Sequence, residues 1–324
     1  MRIKRILGKR TVHKIQRVCS VKQKLNMFKA QRVLRSIRMA YFLLPFLLTF
    51  PITNRVIADS AVWQITSGLN SVYLGGTVHL LRPSDYPLPE EYEQAYQNSS
   101  QIYFETDLSA MSDLSVQTQM LQQLTYQDGR SLKGVLSNEA YAALSDYIEE
   151  AGVPLMMMEK FKPGMVVSML QVMEFQRIGF TPEGVDAYFN TRAISDSKSI
   201  GQLETVMEQI GFLASMGEGN ESEFILLSLR DLEETADLMD GMIAAWRLGN
   251  NSELADLFIN EMKNEAPELY NSLLRQRNLN WIPQIDQMLK DNDTEFVLVG
   301  AAHLVGDEGL LKLLELKGYQ VTQL

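Results

Sequence analysis

The chain has 324 residues, 46% of them hydrophobic, and a formal net charge of −10, enough apolar side chain for one large core. The charge is unevenly spread. Residues 1–58 carry 14 Lys and Arg and no acid, which leaves 16 basic residues against all 40 acidic ones in the rest, a net charge of −24. A body that acidic repels nucleic-acid phosphates and anionic lipid head groups, so nucleic acid is excluded as its partner.

The basic leader reads as an export signal. Arg32, Arg35 and Arg38 precede the apolar run that begins at Met39 and ends near Ile52, with small residues at Ala58 and Ser60. A basic start, a short apolar core and a small-residue cleavage site form the pattern a signal peptidase reads. The run is shorter than the roughly 20 residues of a membrane span, and it contains Pro45 and Pro51. The expected location is therefore periplasmic or extracellular, with the membrane met only in transit; an anchor over residues 39–54 is the alternative. A transit peptide fits the solid apolar run poorly. Starting at Met27 instead of Met1 would give a signal of ordinary length. The single cysteine, Cys19, lies in the leader, so the body after it offers no disulfide, zinc–thiolate site or cysteine nucleophile.

After the leader, Ala61–Thr66 and Ser71–Leu74 flank the turn-like Ser67-Gly-Leu-Asn70 and read as a hairpin. The second strand runs into Gly75-Gly-Thr-Val-His79. A short helix is expected over Glu90–Gln97, then a strand over Gln101–Asp107. From about Asp113 to Lys290 the apolar spacing is helical. Ser137 caps a helix to Glu150, and Met165–Arg177 is another. Thr181 with Pro182 is expected to start the helix that holds Gly184, Asp186 and Tyr188. Lys198–Leu203 reads as an interposed strand. Helices follow over Glu221–Leu248, Ser252–Lys263, Ala266–Gln276 and Asn278–Lys290, the last one broken early by Pro283. Strand signal returns at Glu295–Val299, followed by Gly300-Ala-Ala-His303, a helix over Glu308–Lys317 and a last strand over Tyr319–Leu324. The expected fold is α/β: one domain, 61–324, with a sheet built from both chain ends and a long helical insertion.

The body contains only two histidines, His79 and His303, each just after an apolar strand and each three residues beyond a glycine. Glycine there lets the chain turn without a Cβ in the way. Glu105 stands at a third strand end. If these strands are parallel, two imidazoles and a carboxylate meet at the carboxyl edge of the sheet, where ligands bind in open α/β folds. Two His and one carboxylate leave a fourth metal position for water. The competing reading has each imidazole satisfied by a backbone carbonyl. Met156-Met-Met158 reads as core packing or a flexible apolar surface rather than a soft-metal site, because adjacent residues on a helix point apart.

The segments Tyr73–His79, Phe104-Glu105, Gly184-Val-Asp186, Leu203-Glu204-Thr205, Arg277-Asn278 with Trp281, and Phe296–Leu304 resemble the TraB/GumN family in order and spacing, over about 63–319. That family is similar to the Tiki metalloproteases. The resemblance implies a divalent metal (zinc, manganese or cobalt) on His79, Glu105 and His303, and a peptide or protein substrate. Glu105 would serve as ligand or as general base. By residue type, Arg277 and Asn278 could donate to a substrate carbonyl or a developing oxyanion, or form a solvated helix end; Asp186 and Glu204 could orient a ligating histidine, or cap helices and pair with Lys and Arg. The non-enzymatic alternatives are a haem- or metal-binding protein and a peptide-sequestering protein, because fold alone does not set the reaction.

N-terminal sequencing of the exported protein is expected to find a start near Asp59 or Ala61. A chain recovered from the membrane and still beginning at Met1 or Met27 would favour the anchor instead.

Overall fold

A computed structural model describes residues 60–324 of the chain; the leader lies outside the described residues. Strand β1 (Val62–Ser67) turns at Gly68, whose φ of +64° suits a residue without a Cβ, into β2 (Asn70–Thr77). The order continues with α1 (Glu90–Asn98), β3 (Gln101–Phe104), α2 (Leu114–Leu124), α3 (Asn138–Glu150), α4 (Pro163–Arg177) and α5 (Val185–Asp196). Next come β4 (Ser199–Gln202), α6 (Val206–Ser215), the 27-residue α7 (Glu221–Arg247), α8 (Gln276–Met288), β5 (Glu295–Gly300), α9 (Leu310–Leu316) and β6 (Gln320–Gln323). Shorter helical turns link the rest.

The six strands form one sheet in the order β4-β3-β5-β2-β1-β6. Strands β2, β3, β4 and β5 run parallel, and β1 is antiparallel to both β2 and β6. The expected α/β architecture holds: β1, β2 and β3 come from the front of the domain, β5 and β6 from the back, and the helical insertion between them contributes β4. Among the described residues, three registers align Thr77 with Gly300, Tyr103 with Val297, and Phe104 with Gln202. The carboxyl ends of β2, β3, β4 and β5 therefore share one edge of the sheet.

Strand β5 is buried along nearly its whole length, the continuous apolar pattern of a strand covered on both faces. Around it Phe296 and Phe189 meet edge to face at 5.6 Å. The end of β2 is held by helices: Trp246 of α7 donates from Nε1 to the Gly76 carbonyl at 2.7 Å, and the Tyr92 hydroxyl of α1 donates to the same oxygen. A second apolar cluster, built from α3, α4 and α7, lies within the insertion.

Three local expectations fail for identifiable reasons. Strand β3 stops at Phe104, and Asp107 lies in the following turn, where its Oδ1 accepts from Ser109 N and Ala110 N. Thr181 does not cap a helix: it pairs with Leu81 in an isolated bridge, and α5 begins after Gly184. Pro283 sits inside α8 without ending it. Proline removes one N–H from the ladder, while the buried Trp281, Ile282 and Ile285 hold the helix against the core. Met158 is buried as packing requires, whereas Met156 and Met157 are exposed.

Glu295, at the opposite end of β5 from the histidine, is 2% exposed and its Oε2 has no hydrogen-bond partner. Burial, reinforced by Asp291 and Asp293, raises its pKa from 4.5 to about 7. A carboxyl raised on folding contributes full stability below its unfolded value, and that contribution is lost as pH rises through the folded one. Glu295→Gln is expected to raise the melting temperature at pH 8 relative to wild type and to leave it nearly unchanged at pH 5. Equal effects at the two pH values would show that Glu295 is not protonated on folding.

Candidate active site

The two Gly-x-x-His segments bring their glycines to crowded places. Neither glycine has positive φ, so the expected sharp turn is not their purpose. A Cβ on Gly76 would lie 3.2–3.3 Å from Leu304 and Ala301, and one on Gly300 would lie 3.3 Å from Glu105 Oε1. They make room for close approach. Gly300 N donates to Glu105 Oε1 at 2.7 Å, which ties the end of β3 to the end of β5.

Glu105 is 5% exposed. Its Oε2 accepts from Arg277 Nη2 at 2.5 Å and from Gln209 Nε2 of α6 at 3.1 Å. Arg277, on α8, also donates to Glu204 from Nε at 3.1 Å and from Nη2 at 2.7 Å. Its Nη1 donates to the Leu273 carbonyl at 3.1 Å and reaches His303 Nε2 at 3.0 Å. The guanidinium stacks over Trp281 at 4.8 Å. Burial works against ionising Glu105, but Arg277, His79 and the Gly300 N–H hold its carboxyl well below the usual carboxylate range. Arg277 is the group among these with a permanent charge, and it touches the carboxylate directly.

Asn278 fixes the tautomer of His303. Its Nδ2 donates to the His303 and Glu308 carbonyls, so its Oδ1 is the acceptor for His303 Nδ1 at 2.7 Å. The Nδ1 atom therefore carries the proton, and the lone pair on Nε2 accepts from Arg277. Burial, helped by Arg277, lowers the His303 pKa to about 3, so this imidazole is neutral.

His79 is its opposite. Its side chain is 64% exposed, and Nδ1 meets Asp186 Oδ2 at 2.8 Å. The Asp186 carboxylate raises its pKa above the ordinary 6.5, although water screens part of that attraction. Asp186 can reach it because Gly184 abuts the His79 backbone: a Cβ there would lie 2.2 Å from the His79 carbonyl. Val185 N then donates to the Val78 carbonyl at 3.1 Å, and Asp186 follows in the first turn of α5. His79, Glu105, Asp186 and Gln209 line one cleft of about 260 Å³, with Thr106, Phe104, Leu108, Met111, Pro182 and Ala187 completing it.

The expected metal set fits this arrangement only in part. Both imidazoles have Nδ1 held by an oxygen acceptor, as ligating histidines do. Yet Arg277 engages both Glu105 Oε2 and His303 Nε2, and Glu105 Oε1 is taken by Gly300. Among the described residues no three His, Cys, Asp or Glu are grouped so as to hold a metal ion. As placed, His79, Glu105 and His303 do not form a metal cage. Of the other expected residues, Asp186 does orient a histidine, Glu204 holds Arg277 instead, and Asn278 and Arg277 are turned inward rather than offered to a substrate.

The sequence pattern of the TraB/PrgY/gumN family matches residues 61–323. The chain belongs to that family. It is also similar to Metalloprotease TIKI1 of Xenopus tropicalis, 24% identical over 322 positions that cover 81% of this chain. The match spans 61% of that relative's length. No solved structure matches the chain. In this TraB/PrgY/gumN protein, Gly184, which stands in one of the matching segments, and Gln209 are site-building residues, and the part of Gln209 is not evident from sequence. Gln209 follows the Thr205–Glu208 capping box by one residue, and nothing local marks it as a partner of Glu105.

Arg277→Met removes the cation between two buried carboxylates. It is expected to destabilise the fold by about 3–5 kcal/mol, because an unpaired buried charge is left behind. Chemical denaturation at pH 7 measures this. A loss under about 1 kcal/mol, the range of an exposed pair, would mean that Arg277 does not hold the site together.

Proposed function

We propose that the protein is an exported hydrolase of peptide or protein substrates, with His79 as the residue that moves the proton. One observation carries this reading: His79 stands exposed on the cleft wall, with Nδ1 fixed by Asp186 and no hydrogen bond to Nε2 among the described residues. A histidine whose far nitrogen is held by a carboxylate is oriented for proton transfer from the near one. A water bound at Nε2 attacks the scissile carbonyl as neutral His79 accepts its proton. The imidazolium, stabilised by Asp186, then returns the proton to the leaving amine. Glu105 lines the cleft, and the buried Arg277 and His303 fix it from behind.

Further observations support the proposal. The metalloprotease relative is a peptide-bond hydrolase by name. The cleft of about 260 Å³ falls below the roughly 300–1,000 Å³ of small-molecule sites, so it suits a side chain and a reacting bond better than haem. Export is supported by the basic, acid-free leader. Among the described residues no helix is long and apolar enough to cross a membrane.

The same relative favours a second reading, in which a divalent ion sits on His79, Glu105 and His303. That reading requires Arg277 to withdraw from Glu105 and His303. A bound ion would supply Lewis-acid polarisation and a more acidic water.

His79→Ala is expected to lower kcat/KM on a peptide mixture by roughly 10²–10⁴-fold. Activity should rise with pH as His79 loses its proton, with a midpoint above 6.5 because Asp186 raises it. Asp186→Asn should move that midpoint down toward 6.5. Calorimetric titration with zinc and manganese separates the two readings. Metal affinity that is lost alike in His79→Ala, Glu105→Gln and His303→Ala would establish the metal site, and no affinity in the wild type would leave the His79–Asp186 pair alone. Full activity in His79→Ala would sink both.

A further inference from the structure

Part of the cleft lining takes no part in the proposed proton transfer: the apolar side chains of Phe104, Leu108, Met111, Pro182 and Ala187. Leu108 and Met111 belong to the turn after β3, and Asp107 fastens that turn. Its Oδ1 accepts from Ser109 N at 2.9 Å, Ser109 Oγ at 2.6 Å and Ala110 N at 3.2 Å. Met111 also rests against the small cluster formed by Leu124, Ile210 and their neighbours, so this wall has a backing. Leu108 and Met111 remain only half-buried, which leaves apolar surface on an open cleft.

The charges around the cleft narrow what can lie there. Its lining holds two carboxylates, Glu105 and Asp186, and the imidazole of His79. An acidic side chain would be repelled. A basic one would find both carboxylates engaged, Glu105 by Gly300, Arg277 and Gln209, and Asp186 by His79. An uncharged aliphatic group loses nothing and covers the exposed apolar wall. The cavity has room for about one such side chain beside the reacting bond.

We propose that this wall is the subsite for one uncharged aliphatic side chain of the peptide substrate, next to the bond that is cut, with Leu108 and Met111 setting the preference. The inference rests on the reading of the protein as a peptide hydrolase, and its test is built to fail separately from that reading.

The first arm maps cleavage products of an equimolar peptide mixture by mass spectrometry. The wild type is expected to cut beside Leu, Met, Ile or Val at least ~10-fold faster than beside Asp, Glu, Lys or Arg, the lower end of what an apolar pocket discriminates. Met111→Glu is expected to shift cutting toward Lys and Arg. Cleavage with no aliphatic preference, or an unchanged profile in a folded Met111→Glu protein, would overturn the proposal. The second arm needs no turnover. N-acetyl-leucinamide and the charged N-acetyl-aspartate amide are titrated into wild-type protein carrying methyl-labelled methionine. The Met111 methyl, assigned by its loss in Met111→Leu, is expected to shift with the first and not with the second. A shift with no peptide cleaved would keep the subsite and remove the peptidase reading. No shift, or equal shifts with both amides, would overturn the subsite.

Discussion

The carboxyl edge of the sheet is organised around one buried cation. Glu105 follows β3, Glu204 follows β4 and His303 follows β5, and the guanidinium of Arg277 reaches all three from α8. Two carboxylates this deeply buried are costly unless compensated. A planar fork with five donors can serve both at once and still cap the Leu273 carbonyl. Lysine could not do so with a point charge. The position of each strand end is thus coupled to the others through a single side chain, and the cleft inherits its shape from that coupling.

The two histidines occupy sequence contexts that look alike, yet their environments are opposite. His303 is 3% exposed, neutral and held on both nitrogens. His79 is largely exposed, carries a carboxylate partner on one nitrogen, and has no hydrogen bond to the other among the described residues. Burial and a neighbouring cation push one pKa down, while a carboxylate pulls the other up. The pair therefore divides into a buried, neutral residue and an exposed one, to which we assign the proton transfer by proposal.

The parts of this fold that were legible in sequence rest on short-range signals. Strands β2 and β5 are dense apolar runs, so the edge that bears His79, Glu105 and His303 followed from placing three strand ends together. Ser137 as a helix cap needed only its own neighbours. What stayed hidden depends on distant partners. Arg277 lies 172 positions from Glu105 and 73 from Glu204, and nothing local says that it turns inward instead of toward a ligand. Thr181 read as a cap because a cap needs only the next three residues, whereas its bridge to Leu81 needs the fold. Pro283 read as a break because the packing of Trp281 and Ile285 that retains the helix is tertiary.

Strand β4 gives the helical insertion an unusual status. The chain leaves the sheet after β3 and returns in the middle of the insertion to add β4 beside it. Glu204 and Gln209 follow directly, and their contacts to Arg277 and Glu105 permit little displacement. Residues 199–209 thus act as a fixed suture, as do α5, which carries Asp186, and the end of α7, whose Trp246 holds β2. Lengths can drift between these fixed points, as across the helices between Leu132 and Arg177, which contribute no residue to the cleft lining. A graft that replaces the whole insertion as one module would open the sheet at its edge and leave Arg277 short of a partner. Chimeras of this fold have to be cut in two places, not one.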